Sequence, residues 1–192
     1  MVTIGAWLFR NRGWIPVPVV VGLVTLTGPL NLWTGIGLGM VLLGPIVRVW
    51  AVTHMGPSAR NRDANVEKLV YTGPYELTRN PLYMANIWMH TGLGVASSGP
   101  LCGACVGIGY FTFYSFIVRY EEAFLERRLG EIFRSYRNRV PRWLGEAAPV
   151  HAAAPKGILS QRIAAAFRAE RTTLAVTAIV TLMVLIRSVK LG

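Results

Sequence analysis

Apolar residues along this chain form long blocks separated by shorter stretches that are rich in charge. Blocks of this length match the roughly 20 residues that an α-helix needs to cross about 30 Å of hydrocarbon. The pattern predicts an all-α fold, a polytopic membrane helical bundle with about five transmembrane helices. The predicted spans cover approximately residues 14–30, 32–53, 82–97, 100–118 and 172–189.

The positions of the charged residues give the orientation of these spans. Arg10 and Arg12 precede the first span, and further basic residues fill segments 53–81 and 119–171, whereas the two short links between paired spans carry no charge. Basic residues concentrate in cytoplasmic loops. We therefore expect an integral, multi-pass protein of the bacterial inner membrane, with the N-terminus and the active site cytoplasmic.

The chain divides into three predicted regions. Residues 1–144 form a core of four spans with a cytoplasmic C-terminal segment, residues 145–170 a linker with an interfacial helix, and residues 171–192 an additional transmembrane helix. Stretch 145–157 is rich in Ala and Pro, which is typical of a linker. Stretch 158–168 alternates apolar and basic residues at helical spacing, so we expect it to lie flat on the membrane surface.

Composition supports the membrane assignment and limits the partners. The 192 residues are 53% hydrophobic and 15% charged, and the net charge is +11. Because the basic residues lie between the apolar blocks, we expect membrane lipids as partners and no nucleic acid. Cys102 and Cys105 lie inside an apolar block without a second ligand pair, so we expect no metal site. The first block lacks a small-residue cleavage site, so no cleavable signal peptide is expected.

The first candidate for a functional site is the loop before the third span. Gly73-Pro74 is a turn signal, and Pro81 favours an extended conformation at Asn80 before the helix starts. A compact loop would then present Tyr75, Asn80 and Tyr83 at the cytoplasmic mouth of a helical hairpin. The alternative is an interfacial belt of aromatic residues beside a helix that starts at a proline.

A second candidate is the acidic pair Glu121-Glu122 at the end of the fourth span. Carboxylates near hydrocarbon need a partner. No basic residue lies three or four positions from Glu121, whereas Glu122 has Arg119 in the less favourable orientation. Glu121 is therefore available to bind an ammonium group of a ligand, or is simply solvated. The Arg-rich, aromatic stretch 129–143 suits a surface of anionic lipids.

As a set, these segments resemble a known family. Gly73-Pro-Tyr, Arg79-Asn-Pro-Leu-Tyr83, Glu121-Glu122 and Gly130-x-x-Phe-x-x-Tyr-x-x-x-Val-Pro141 are similar to the isoprenylcysteine carboxyl methyltransferases and to the phosphatidylethanolamine (phospholipid) N-methyltransferases. The likeness covers roughly residues 37–143. It implies an integral membrane enzyme that uses S-adenosylmethionine to methylate a lipid-like or hydrophobic small-molecule acceptor, an amine or a carboxylate.

The resemblance also implies a site. Asn80, Tyr83 and Glu121 would be the catalytic residues. The cofactor would contact residues of the second span, the loop and the acidic pair: Gly37, Gly39, Leu69, Val70, Tyr75, Asn80, Pro81, Tyr83, Glu121 and Glu122. Two departures bear on the acceptor: Asn80 replaces a histidine of the prenylcysteine enzymes, and Ile117 stands where those enzymes carry a substrate-binding arginine.

Two other classes of protein remain open. A sterol-type membrane reductase shares a similar C-terminal pattern and would use NADPH. A non-catalytic membrane scaffold or small transporter would explain the helices but not the polar residues gathered on one side of the bilayer. The one titratable group deep in the third span is His90, which we interpret as a packed histidine and not a proton relay.

Overall fold

The computed structural model describes residues 2–55, 69–145 and 157–192. Within these ranges all regular secondary structure is helical, which confirms the predicted all-α fold. Eight helices follow one another along the described chain: α1 (Val2–Asn11), α2 (Pro16–Leu26), α3 (Leu32–Met55), α4 (Pro74–Leu77), α5 (Pro81–Ser98), α6 (Pro100–Leu129), α7 (Glu131–Arg139) and α8 (Leu159–Leu191).

Three of these helices, α3, α6 and α8, are long and apolar enough to cross a membrane. The chain is thus a multi-pass membrane protein. The predicted first span is only the 11-residue helix α2, because Gly28 and Pro29 follow its end and stop it early. The predicted third span is α5, whose 18 residues include Asn86 and His90 and are therefore less apolar. The number of five spans stays a prediction.

Single glycines and prolines set several helix boundaries, one of which, at Pro81, the sequence predicted. α5 begins at Pro81, because a proline fits the first turn, where the backbone N–H groups have no helical partner. α6 ends before Gly130, whose φ of 54° is the left-handed conformation that favours glycine. Gly73 has a φ of 62°, and the short helix α4 begins directly after it.

The C-terminal region differs from the prediction of an interfacial helix followed by a separate span. Residues 158–168 and 172–189 belong almost entirely to one continuous helix, α8, of 33 residues. Neither glycine nor proline occurs between Ile158 and Leu191, so nothing in the sequence breaks the helix. The predicted linker 145–157 lies almost entirely outside the described residues. Helix α1 was not predicted at all.

The described chain forms two compact units. Unit 1 comprises 1–45, 85–120 and 173–192, and unit 2 comprises 46–84 and 121–172. The apolar core of unit 1 consists of buried side chains from α2, α3, α5 and α8: Leu23, Val24, Leu38, Val41, Leu93, Ala96 and Val184. Unit 2 has its own small core around α7: Phe133, Tyr136 and Val140, packed against Leu69, Leu125 and Leu129.

Small residues allow α3 and α5 to approach closely in unit 1. A Cβ atom added at Gly37 would collide with the backbone of Gly92 and Ala96. Gly39, two positions along the same helix, is exposed and has no neighbour within 4 Å. Close contact between small residues is a usual basis of helix packing in membranes, where water does not drive association.

In the same unit, His90 is packed and hydrogen-bonded as expected. Its Nδ1 lies 2.7 Å from the Asn86 carbonyl oxygen one turn earlier. Its ring stacks on Tyr110, with the centroids 3.9 Å apart. The His90 ring is thus paired with groups on α5 and α6, which agrees with a structural role.

We predict that Gly37→Ala destabilises the protein and that Gly39→Ala does not. The new methyl group at position 37 must push two backbones apart, at a cost of about 1–3 kcal/mol. At position 39 the methyl group meets nothing, and alanine is the better helix former. Thermal unfolding of the purified variants in one detergent measures this difference. Equal melting temperatures for the two variants would contradict the packing role of Gly37.

Candidate functional site

The loop before α5 is fixed to the segment that follows α7, and both belong to unit 2. The Thr78 hydroxyl and the Asn80 side-chain amide each donate a hydrogen bond of 3.0 Å to the Arg142 carbonyl oxygen. The Arg79 backbone N–H donates to the Pro141 carbonyl oxygen at 3.0 Å. The side-chain amide of Asn80 is thereby engaged in holding the loop, which gives this residue a structural contact beside any role towards a ligand.

Two residues that the sequence singled out lie in direct contact. The Tyr83 hydroxyl on α5 donates to Glu121 Oε1 on α6 at 2.9 Å. A hydrogen bond to a carboxylate is stronger than one between neutral groups, so this contact fixes the orientation of the Glu121 side chain. Both side chains are half-buried and belong to unit 2.

The adjacent carboxylate, Glu122, is buried between two arginines. Arg142 approaches Oε2 with Nη2 at 2.6 Å and Nε at 3.0 Å. Arg79 Nε lies 3.1 Å from Oε1, at ion-pair distance but outside hydrogen-bond geometry. Burial lowers the pKa of Arg79, and the charge of Glu122 opposes that effect. Glu122 thus neutralises buried positive charge of the protein itself, which leaves it poorly suited to bind an ammonium group of a ligand.

Tyr75 is a buried donor in the same unit. Its hydroxyl has no hydrogen-bond partner among the described residues, while its carbonyl oxygen accepts a 2.7 Å bond from the Tyr136 hydroxyl. Burial raises the pKa of Tyr75, so the phenol stays neutral and keeps its proton. Buried polar atoms are normally paired, and an unpaired one marks a place where a ligand group or water can bind.

Sequence reasoning missed several residues of this region. Tyr136 and Arg142 carry the contacts just described, and Arg48 of α3 forms a buried ion pair with Glu170 of α8. For Tyr136 a signal existed, because Phe133, Tyr136 and Val140 recur at helical spacing. For Arg48 the signal was an arginine inside an otherwise apolar block, which usually indicates a specific partner.

The remaining predicted site residues divide between the units. Leu69 and Val70 are half-buried, and Leu69 packs against the core of unit 2, in which Pro81 is also buried. Gly37 and Gly39 instead belong to unit 1, where Gly37 packs closely against the backbone of α5. The cofactor roles of all these residues stay predictions. Within the described ranges, no group of three or more His, Cys, Asp or Glu side chains is placed to hold a metal ion.

Known proteins similar to this chain carry the names of methyltransferases and of metal-resistance proteins. Protein-S-isoprenylcysteine O-methyltransferase B of Arabidopsis thaliana is 29% identical over 109 residues, 55% of each chain. Cobalt-zinc-cadmium resistance protein CzcN of Cupriavidus metallidurans is 32% identical over 117 residues, 61% of this chain and 50% of the relative. Nickel-cobalt-cadmium resistance protein NccN of Alcaligenes xylosoxydans xylosoxydans is 29% identical over 106 residues, 55% of this chain and 46% of the relative.

The chain spans about half the length of these relatives. No solved structure matches it significantly. A family model described as phospholipid methyltransferase matches residues 32–132, which is more than half of the 192 residues. This range includes the loop before α5 and the acidic pair on α6, so the contact between Tyr83 and Glu121 lies within it. The chain belongs to the phospholipid methyltransferase family.

Proposed function

We propose that this protein is an integral membrane methyltransferase that transfers a methyl group from S-adenosylmethionine to a lipid-like or hydrophobic acceptor. The observation that carries the proposal is the hydrogen bond between Tyr83 and Glu121, inside the range that matches the family. We further propose that this end of the helices faces the cytoplasm, because the charged segments join the helices here.

The residues of unit 2 fit S-adenosylmethionine in their chemistry. The Glu121 carboxylate suits the ammonium group of the methionine part. The neutral Tyr75 hydroxyl, which has no hydrogen-bond partner within the described ranges, suits an acceptor atom of the cofactor. Tyrosine rings attract a nearby cation through their electron-rich faces, and Tyr75 and Tyr83 would serve a sulfonium in this way. Among the residues predicted from the sequence, Glu121 is therefore the better candidate for the charged contact, and Glu122 the worse.

Methyl transfer requires mainly that the acceptor atom and the methyl group be positioned correctly. When bound, S-adenosylmethionine supplies an electrophilic methyl group on a positively charged sulfur. Aligning the acceptor atom with that methyl group turns a reaction between separate molecules into one within a complex, which accounts for much of the acceleration in such reactions. Tyr83 holds Glu121 in one orientation. Arg79, Glu122 and Arg142 hold the loop and the segment after α7 together.

We predict that Glu121→Gln weakens binding of S-adenosylmethionine roughly 10- to 100-fold, the usual loss when a charge-assisted hydrogen bond is removed. Tyr83→Phe should weaken it less, because the carboxylate stays charged and loses only its orienting bond. Isothermal titration of the purified protein in detergent measures both effects. Glu126→Gln is the matched control, since Glu126 pairs with Arg137 at 2.7 Å in the same unit with both side chains more than one-third exposed.

Unchanged affinity in Glu121→Gln would contradict the assigned role of Glu121. Absence of saturable binding to folded wild-type protein would contradict the proposed function as a whole. In that case an assay of NADPH oxidation in the presence of sterols would test the reductase alternative.

For the neighbouring residue we predict the opposite outcome. Glu122→Gln should lower the free energy of unfolding by about 3 kcal/mol, because the substitution leaves a buried arginine without its counterion. The affinity of the protein that remains folded should change little. Thermal unfolding and titration on the same preparation separate the two quantities. A large loss of affinity at wild-type stability would instead make Glu122 a cofactor ligand.

A further inference from the structure

Four polar side chains meet between α5 and α6 within unit 1. Asn86 Nδ2 on α5 donates a hydrogen bond of 3.1 Å to the Tyr114 hydroxyl on α6. One turn further along α5, the His90 ring stacks on Tyr110, which lies one turn before Tyr114. The two contacts therefore follow the antiparallel register of the helices, and we call these four residues the polar cluster. On α6 the cluster lies within the apolar stretch 100–118 of a helix that is long and apolar enough to cross a membrane.

The Tyr110 side chain is buried, yet its hydroxyl has no hydrogen-bond partner among the described residues. Only 6% of the residue is exposed. Its ring is held by contacts with Phe113 and Tyr114, at centroid distances of 6.2 and 6.1 Å, besides the stack on His90. The hydrocarbon core of a membrane supplies no water to such a group. An unpaired donor at this position needs an explanation, and a ligand atom that accepts a hydrogen bond provides one.

The edge of the polar cluster reaches the surface of the protein. Asn86, His90 and Phe113 are half-buried, so part of each side chain is accessible from outside. These side chains surround the buried Tyr110 ring or lie one turn from it. A molecule dissolved in the hydrocarbon can therefore approach the cluster without crossing the core of the protein.

The surroundings of Tyr110 favour an uncharged ligand. Neither α5 nor stretch 100–118 contains Asp, Glu, Lys or Arg, so these helix segments offer no counterion to a charged group. A ligand hydroxyl or amide would bring a donor of its own, which would need an acceptor in its turn. A carbonyl oxygen only accepts hydrogen bonds, and it therefore matches the phenol donor without adding an unpaired group.

We propose that the polar cluster binds an uncharged, lipid-soluble molecule inside the membrane, and that the Tyr110 hydroxyl donates a hydrogen bond to a carbonyl oxygen of this molecule. The half-buried rings of His90 and Phe113 contact its apolar part. Such an oxygen occurs in two kinds of lipid-soluble molecule, fatty-acid esters and quinones. This binding does not depend on the proposed function, because Tyr83 and Glu121 belong to unit 2 and the whole polar cluster belongs to unit 1.

The test places the full-length protein in nanodiscs of ether-linked phospholipids, which contain no carbonyl groups. Decylubiquinone and decyl decanoate, each isotopically labelled at a carbonyl carbon, are added separately as the quinone probe and the ester probe. A hydrogen bond lowers the C=O stretching frequency, so infrared difference spectra show a bound carbonyl as a second, shifted band. We expect this band in wild type with one of the two probes, and that probe identifies the class of ligand.

The variant Tyr110→Phe removes only the hydroxyl. It should abolish the shifted band and weaken binding of the probe about 3- to 10-fold, the usual effect of losing one neutral hydrogen bond. Without probe, its melting temperature should not fall, because the hydroxyl has no partner within the described ranges. Tyr120→Phe is the matched control, since it is the same substitution at a half-buried residue of α6 outside the polar cluster. It should keep both the band and the affinity.

Loss of the shifted band in Tyr110→Phe alone, at undiminished stability, would support the proposal. A folded wild type that gives no shifted band with either probe would overturn it, and so would an unchanged band in Tyr110→Phe or an equal loss in Tyr120→Phe. A lower melting temperature of Tyr110→Phe, or its failure to fold, would also overturn the proposal, because the hydroxyl would then be bonded within the protein itself.

Discussion

Two arginines from distant parts of the chain share one buried carboxylate, and this arrangement holds three segments of unit 2 together. Arg79 comes from the loop before α5, Arg142 from the segment after α7, and Glu122 from α6 between them in sequence. Backbone and side-chain bonds from the loop to the carbonyl groups of Pro141 and Arg142 follow from that placement. The position of Tyr83 within unit 2 therefore depends on this charge cluster.

The two neighbouring carboxylates show how environment divides roles between identical side chains. Glu122 is buried with two cations, so its charge is used within the protein. Glu121 is half-buried and accepts a hydrogen bond from the neutral hydroxyl of Tyr83. From sequence the pair looked equivalent apart from Arg119, because only residues three or four positions away on the same helix could be weighed. The arginines that pair with Glu122 come from the loop before α5 and the segment after α7.

The same limit explains what sequence could and could not predict. Pro81 acts through local backbone geometry, so the start of α5 was predicted correctly. The continuity of α8 also follows from local sequence, because neither glycine nor proline interrupts it. The charged residues around Arg168 were instead interpreted as a boundary between an interfacial helix and a separate span. The role of Gly37 was ambiguous, because small residues at this spacing serve either helix packing or close approach to a ligand. Only the contact of Gly37 with α5 shows that it serves helix packing.

The buried ion pair of Arg48 and Glu170 shows the same limit of sequence-based prediction. The family-matching range ends before α7 is complete, yet a carboxylate on α8 reaches Arg48 on α3, inside that range. A helix outside the matched range thus provides an ion-pair partner for a buried arginine within it. In a medium of low dielectric constant, removing one charge of such a pair leaves the other charge buried at a high cost. The partner of this buried arginine therefore lies in a part of the chain that the family's common sequence pattern does not contain.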